Sequence, residues 1–238
     1  MSPSVGMWIW TVTDCEGGVV SAIVDRAKQA ALGHVLIKTN DGTAQYNGTL
    51  GPLVSALKAA GIHIWAWQYA RGQDPEAEAE AFGSRALALG VNGLCVDAEV
   101  EFESTAMAPR ATAYMTRLRS VAGTLPIALS SYYRPQLHPH FPWAEFLGQS
   151  NFAMPQVYWF GNDPAVALAD SYADYGAFIA QEQIIPTGAA YAEATGNPDN
   201  IGKFIAKATD LGASSVNFWS WQHATPAMWA EITGQSAV

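Results

Sequence analysis

Asp97, Glu99 and Glu101 recur at every second position of the run Gly93–Glu101, whose alternate residues Leu94, Val96, Ala98 and Val100 are all apolar. Residues two apart on a β-strand share a face. One face of this strand is therefore expected to pack on helices, while the other presents Cys95, Asp97, Glu99 and Glu101. Three carboxyls on one inner face are costly to bury unless protonated, paired or opened to solvent. A buried network with Lys38, or a solvated strand end, is the bland account of them. The chemical account is acid catalysis, because crowded like charges push carboxyl pKa values apart. Cleaving a glycosidic bond needs a proton donor to the leaving oxygen and a group that stabilises an oxocarbenium-like centre. Two carboxyls with separated pKa values supply both. Strand rise puts the Cα atoms of Asp97 and Glu99 roughly 6.5–7 Å apart, close enough to serve one bond. Glu99, longer and nearer the strand end, is assigned as the acid, with Asp97 tuning and orienting it or stabilising positive charge. Glu101 is counted with the substrate-binding residues.

Other strand-like runs offer partners for this pair. Phe152–Trp159 places Gln156 and Tyr158 on one face, where they would hold a substrate amide or hydroxyl. Ser214–Gln222 splits into Val216 and Phe218 on the helix side, and Asn217, Trp219 and Trp221 toward the axis. An inward Trp near a mouth forms an apolar floor for a sugar ring; its bland alternative is core filling. The second run adds Lys38 and Asn40, and the fifth ends in Ser130, Ser131, Tyr132 and Tyr133. The third carries Trp65, Trp67 and Tyr69 on one face and Gln68 on the other, with nothing in the pattern to say which faces in.

The elements that must position these residues alternate along the chain. Strands are predicted at Gly6–Val12, His34–Asn40, His63–Ala70, Gly93–Glu101, Pro126–Tyr132, Phe152–Trp159, Ile184–Tyr191 and Ser214–Gln222. Helices are predicted at 19–31, 50–60, 75–89, 108–122, 142–149, 164–180, 198–211 and 226–233. Gly33, Gly61, Gly90, Gly123 and Gly212 fall just past helices, where a left-handed cap is wanted. Prolines 75, 109, 142, 164, 198 and 226 fall at or near helix starts, with Asp74, Asp163 and Asn197 as N-cap candidates. Eight β/α units with nothing to spare predict an α/β fold, one closed (β/α)8 barrel over residues 1–238, with its site at the C-terminal ends of the strands. An open doubly wound sheet would carry a phosphate-binding turn after the first strand; Gly17-Gly18 is not G-x-G-x-x-G.

Composition agrees. The 238 residues are 50% hydrophobic and 14% charged, ample for a large core. A net charge of −9, without a Lys/Arg-rich run, argues against a nucleic-acid partner. Cys15 and Cys95 are read as free thiols. No apolar run reaches transmembrane length, and no basic-then-apolar leader opens the chain. The expectation is a monomer made in the cytoplasm, with release or virion association as routes to an outside target. No cofactor is expected. Oxygen ligands at Asp97, Glu99, Glu101 and Glu103, with His63, His138, His140 and His223, make a metal site the chemical rival. Neither H-x-H at a strand end nor H-E-x-x-H occurs, His138-Pro-His140 sits in a Pro-rich loop read as exposed, and no metal is assigned. The absence of G-x-S-x-G removes the usual nucleophile elbow.

Val96-Asp97-Ala98-Glu99 resembles the D-x-E of family-25 lysozyme-type muramidases. His34–Thr43 and Pro126–Tyr132 are similar to their second and fifth strand segments. Met154-x-Gln-x-Tyr158 and the tryptophan of the last strand resemble family-18 chitinases. The likeness spans nearly the whole chain and is greatest to glycoside-hydrolase-like barrels of bacteria and their phages. It implies a (β/α)8 fold, a peptidoglycan or other N-acetylated glycan as substrate, and a carboxyl site at Asp97 and Glu99. Two departures stand out. The first strand, Gly6-Met-Trp-Ile-Trp10, lacks the early Asp of the family-25 pattern, and the fourth lacks the full chitinase D-x-x-D-x-D-x-E. The competing class is a non-catalytic glycan-binding or structural barrel, such as a phage-tail or cell-surface module, which keeps an aromatic cleft without needing Glu99.

Overall fold

The computed structural model describes residues 2–234. Eight parallel strands form the barrel: β1 (Ser4–Ile9), β2 (His34–Asp41), β3 (His63–Tyr69), β4 (Gly93–Asp97), β5 (Ile127–Tyr132), β6 (Phe152–Val157), β7 (Thr187–Ala189) and β8 (Ser215–Trp219). Each pairs with the next, and β8 pairs with β1, so the sheet closes on itself. The outer ring is α1 (Val20–Gln29), α2 (Gly51–Ala59), α3 (Pro75–Leu89), α4 (Ala108–Ala122), α5 (Trp143–Leu147), α6 (Pro164–Tyr175), α7 (Asp199–Asp210) and α8 (Pro226–Thr233). Closure explains why eight crossover units suffice: none of the eight barrel strands is left with an unpaired edge.

Strand alternation sorts the apolar residues into two cores. Met7, Ile9, Val35, Ile37, Leu94, Val96, Ala98, Val216 and Phe218 face outward and pack on the helices. Trp8, Leu36, Trp67, Cys95, Ala128, Met154 and Ile185 fill the axis, with Trp65, Tyr69, Phe152 and Trp219 packed against them. The third strand is thereby oriented. Trp65, Trp67 and Tyr69 turn inward, and Gln68 turns out, bonded to Tyr114 and to the carbonyls of Gly42 and Glu78.

Helix boundaries follow local chemistry. Asp74 accepts the Ala77 N–H, and Asp163 accepts those of Ala165 and Val166. Asn197 is displaced by one: Pro198 is the N-cap residue, and Asn197 Oδ1 accepts the Asp199 N–H at 3.1 Å. Gly90 takes the left-handed cap expected of it, at φ 65°. Gly33 does not. Ala31 holds the positive φ after α1, and Gly33 lies against Ser4, whose Oγ would be 2.1 Å from a Cβ there and would have to turn away.

Six of the strands end short of the predicted point at their C-terminal ends, while β2 runs one residue past it and β5 ends at it. β1 stops at Ile9, β4 at Asp97, β6 at Val157, β7 at Ala189 and β8 at Trp219. Beyond those points the chain turns into mouth loops, and the predicted alternation lapses. Val100, expected to pack on helices, lies in a short 3-10 turn, Val100–Phe102, and is exposed, while Phe102 is buried instead. A two-residue strand, Ala44–Gln45, folds back on the end of β2. Cys15 and Cys95 are free and buried.

Candidate active site

A cavity of about 390 Å³ opens at the C-terminal ends of the strands, lined by Trp8, Trp10, Lys38, Trp67, Tyr69, Asp97, Glu99, Ser130, Gln156, Tyr158 and Trp219. Six of the eight residues expected at a site meet here: Lys38, Asp97, Glu99, Gln156, Tyr158 and Trp219. Glu101 and Trp221 do not line it.

Asp97 is the last residue of β4 and is 5% exposed; Glu99 follows on the turn and is half-buried. Gln156, from β6, joins them. Its Nε2 donates to Asp97 Oδ1 and Glu99 Oε1, both at 2.8 Å, and lies 3.2 Å from Ser130 Oγ. Burial, followed by the charge of Glu99, holds the Asp97 carboxyl well above the usual carboxylate range. Burial also raises Glu99; Glu101 adds to the rise, and hydrogen bonds from Gln156 and Asp97 oppose it. The pair therefore favours sharing a proton over double ionisation. No ion pair ties Lys38 to either carboxyl among the described residues, although its charge opposes the rise at Asp97.

Lys38 pairs instead with Asp41, Nζ to Oδ2 at 2.8 Å. A bulge in β2 makes this possible. Lys38 is level with Trp67, Asn40 with Gln68 and Asp41 with Tyr69, so Thr39 is the extra residue. The slip turns Asn40 outward with Gln68, contrary to the expected pairing with Lys38, and brings Asp41 to the mouth. Arg71 extends the network: its Nε donates to Asp41 Oδ1 at 2.8 Å and its Nη1 to Glu101 Oε1 at 3.0 Å. Tyr69 donates to Glu101 Oε2 at 2.7 Å. Glu101 is thus a rim residue in an ion pair, because the chain leaves the strand before reaching it.

Trp219 both packs on the axial core and lines the cavity. Trp8, Trp67 and Trp219 meet edge-on at 5.3–5.6 Å across the axis, and Trp219 also faces the cavity beside the half-exposed Trp10. Trp221 belongs elsewhere. The Trp219–Ser220 peptide is cis, a short 3-10 turn follows at Trp221–His223, and Trp221 packs edge-on against Trp229 of α8 in the outer core. Extrapolating the β8 alternation past Trp219 placed it wrongly. Tyr158 meets Tyr191 edge-on at 5.6 Å, and burial keeps its phenol protonated. His138 is not free in its loop: it stacks on Tyr132 at 3.6 Å and bonds Glu103 at 3.0 Å.

Sequence reasoning missed Trp10, Asp41 and Arg71. Trp10 sits one residue and Arg71 two residues past a barrel strand, a placement that marks mouth residues in this fold. Asp41 was hidden by the bulge. No group of three or more His, Cys, Asp or Glu is arranged to hold a metal ion among the described residues, and no helix there is long and apolar enough to cross a membrane.

This closed barrel with its mouth at the strand ends is a (β/α)8 fold of the kind found in glycoside hydrolases. It is similar to a chitinase from Bacteroides thetaiotaomicron (TM-score 0.75, 9% identity, covering 98% of this chain and 97% of that one). It is similar to the spore cortex-lytic enzyme SleL of Bacillus cereus (TM-score 0.73, 7% identity, 100% and 76%). It is also similar to a glycoside hydrolase family 18 N-acetylglucosaminidase from Paenibacillus barengoltzii (TM-score 0.72, 11% identity, 98% and 99%). At these identities the likeness is one of fold. It falls on the family-18 side of the two resemblances in the sequence and gives the family-25 side no support. The sequence matches no family model and no curated protein.

Proposed function

We propose that the protein is a glycoside hydrolase acting on an N-acetylated glycan, with Glu99 as the general acid and Asp97 assisting. The observation that carries this reading is the Asp97–Gln156–Glu99 bridge inside an aromatic cavity. Burial disfavours a second negative charge there, so a proton is retained where a leaving oxygen would need it. The retained proton is shared within the pair, so Glu99 carries it when it acts as acid, while Asp97 beside it keeps Glu99 oriented. Trp219 and Trp10 offer faces for sugar rings, and Ser130 and Tyr158 offer hydroxyls.

The same bridge favours one stereochemical course. Two carboxyl oxygens, each 2.8 Å from a single nitrogen, lie less than twice that distance apart. An inverting pair is separated by about 6.5–9.5 Å, with water between. Both carboxyls also rise from the same strand, so they do not flank a substrate bond from opposite faces. A substrate-assisted route fits better: the acetamido oxygen of the sugar attacks its own anomeric carbon, Tyr158 holds that acetamido group, and Glu99 protonates the leaving oxygen.

The test is cleavage of N-acetylglucosamine oligomers and of peptidoglycan by the wild type and by Glu99→Gln. The expected result is loss of about 10²–10⁴-fold in kcat for Glu99→Gln with glycan binding retained. Glycan binding without cleavage by the wild type would instead establish a binding module.

A further inference from the structure

Lys38 is the single basic side chain lining the cavity among the described residues, and it is only 4% exposed. Burying an ammonium group is expensive unless its charge and its N–H bonds are answered. Here they are answered in part. The aromatic rings of Tyr46, Trp67, Trp10 and Tyr69 surround Nζ at 4.5–5.8 Å, which favours a cation but provides no oxygen acceptor. Asp41 is the one oxygen partner given to Nζ, and it is shared, because its other oxygen takes Arg71. Two of the three N–H bonds of Lys38 thus have no oxygen acceptor among the described residues.

We propose that Lys38 is a specificity-determining contact for a sugar bearing a carboxylate. This rests on the glycan reading above and narrows its substrate class. A hydroxyl would not require a buried full charge; Ser130, Gln156, Tyr158 and Tyr69 already line the cavity with neutral hydrogen-bonding groups. The acidic floor does not repel a substrate carboxylate as two ionised groups would, since burial disfavours the charged forms of Asp97 and Glu99. At 4% exposure the Lys38 charge is little screened by solvent. A carboxylate on the bound glycan therefore meets a cavity-lining ammonium that has only one oxygen acceptor among the described residues.

The experiment uses the full chain and matched oligosaccharides with an N-acetylglucosamine backbone. One carries a uronic acid, one a lactyl ether, and each is paired with its uncharged methyl amide; a neutral N-acetylglucosamine oligomer is included. The expected result is a kcat/KM for one of the acids at least tenfold above that for its amide. Lys38→Met is expected to erase that gap, bringing kcat/KM for the acid to within threefold of that for its amide in the same variant, and the acid that shows the gap in the wild type identifies the source of the carboxylate. Equal rates for acids and amides in the wild type overturn the proposal, as does a gap that survives in Lys38→Met. The wild-type comparison needs no variant, so a Lys38→Met protein that fails to fold leaves it decisive. Failure to cleave or bind any of the oligosaccharides, the neutral one included, overturns the glycan reading itself.

Discussion

Gln156 is the residue on which the proposed chemistry turns, because one amide nitrogen contacts both carboxyls. Its hydrogen bond opposes the rise that burial imposes on Glu99. Removing it in Gln156→Leu takes away stabilisation of the charged form, so the Glu99 carboxyl rises further. Activity that needs protonated Glu99 falls as pH rises through that value. The expected outcome is therefore an upward displacement of the alkaline limb of the pH–rate profile, because a hydrogen bond to the charged form has been lost. An unmoved limb would show that Glu99 is not the titrating acid. At this scale the sequence was informative wherever a residue lay within a regular strand. Asp97, Gln156 and Lys38 reach the cavity by simple alternation. Trp221 and Glu101 do not, because β8 and β4 have already ended and no periodicity survives a turn.

Among the elements, the loop after β3 holds one wall of the mouth in place, and a single buried side chain organises it. Glu78 of α3 accepts the backbone N–H groups of Arg71 and Gly72 at Oε2, at 2.8 and 3.0 Å. It also accepts those of Gln73 and Asp74 at Oε1, at 2.9 and 3.2 Å. Four donors converge on one carboxylate, and Arg71 rides on the loop they fix. In Glu78→Gln one acceptor oxygen becomes an NH₂ that faces N–H donors. The expected cost is about 3 kcal/mol in urea unfolding, the scale of stranding buried hydrogen-bonding groups. A change under 1 kcal/mol would mean that the loop holds its shape without Glu78. The proline and aspartate signals at the starts of α3 and α6 were readable in the sequence. The Glu78 cap was not, because its partners are backbone groups that leave no trace in residue type.

Taken whole, the barrel keeps its chemistry at one end and a stability device at the other. His34, at the start of β2, is 7% exposed; its ring lies against Gly6, where a Cβ would come within 2.1 Å of Nε2, and that nitrogen has no partner. Burial first, and the charge of His63 second, lower its pKa from 6.5 to about 4. The unfolded chain takes up this proton near pH 6.5 and the folded chain only near 4, so the stability it confers is full above 6.5 and fades as pH falls toward 4. Urea unfolding at pH 7 and pH 4.5 is expected to show a loss about 2 kcal/mol larger in the wild type than in His34→Gln. Equal losses would remove His34 as the cause. The window stays above the range in which Asp41, held low by Arg71 and Lys38, takes up its proton. The architecture itself was the most legible level of all. Eight alternating units close only one way, and errors of a few residues at strand ends do not change the count.

The slip at Thr39 bears on how kinship would be recognised. In a relative whose second strand runs straight, the same lysine and aspartate would stand two positions apart, where here they stand three apart. An alignment gap of one residue at this point would then signify a preserved mouth, and an ungapped match would pair residues that point to opposite sides of the wall.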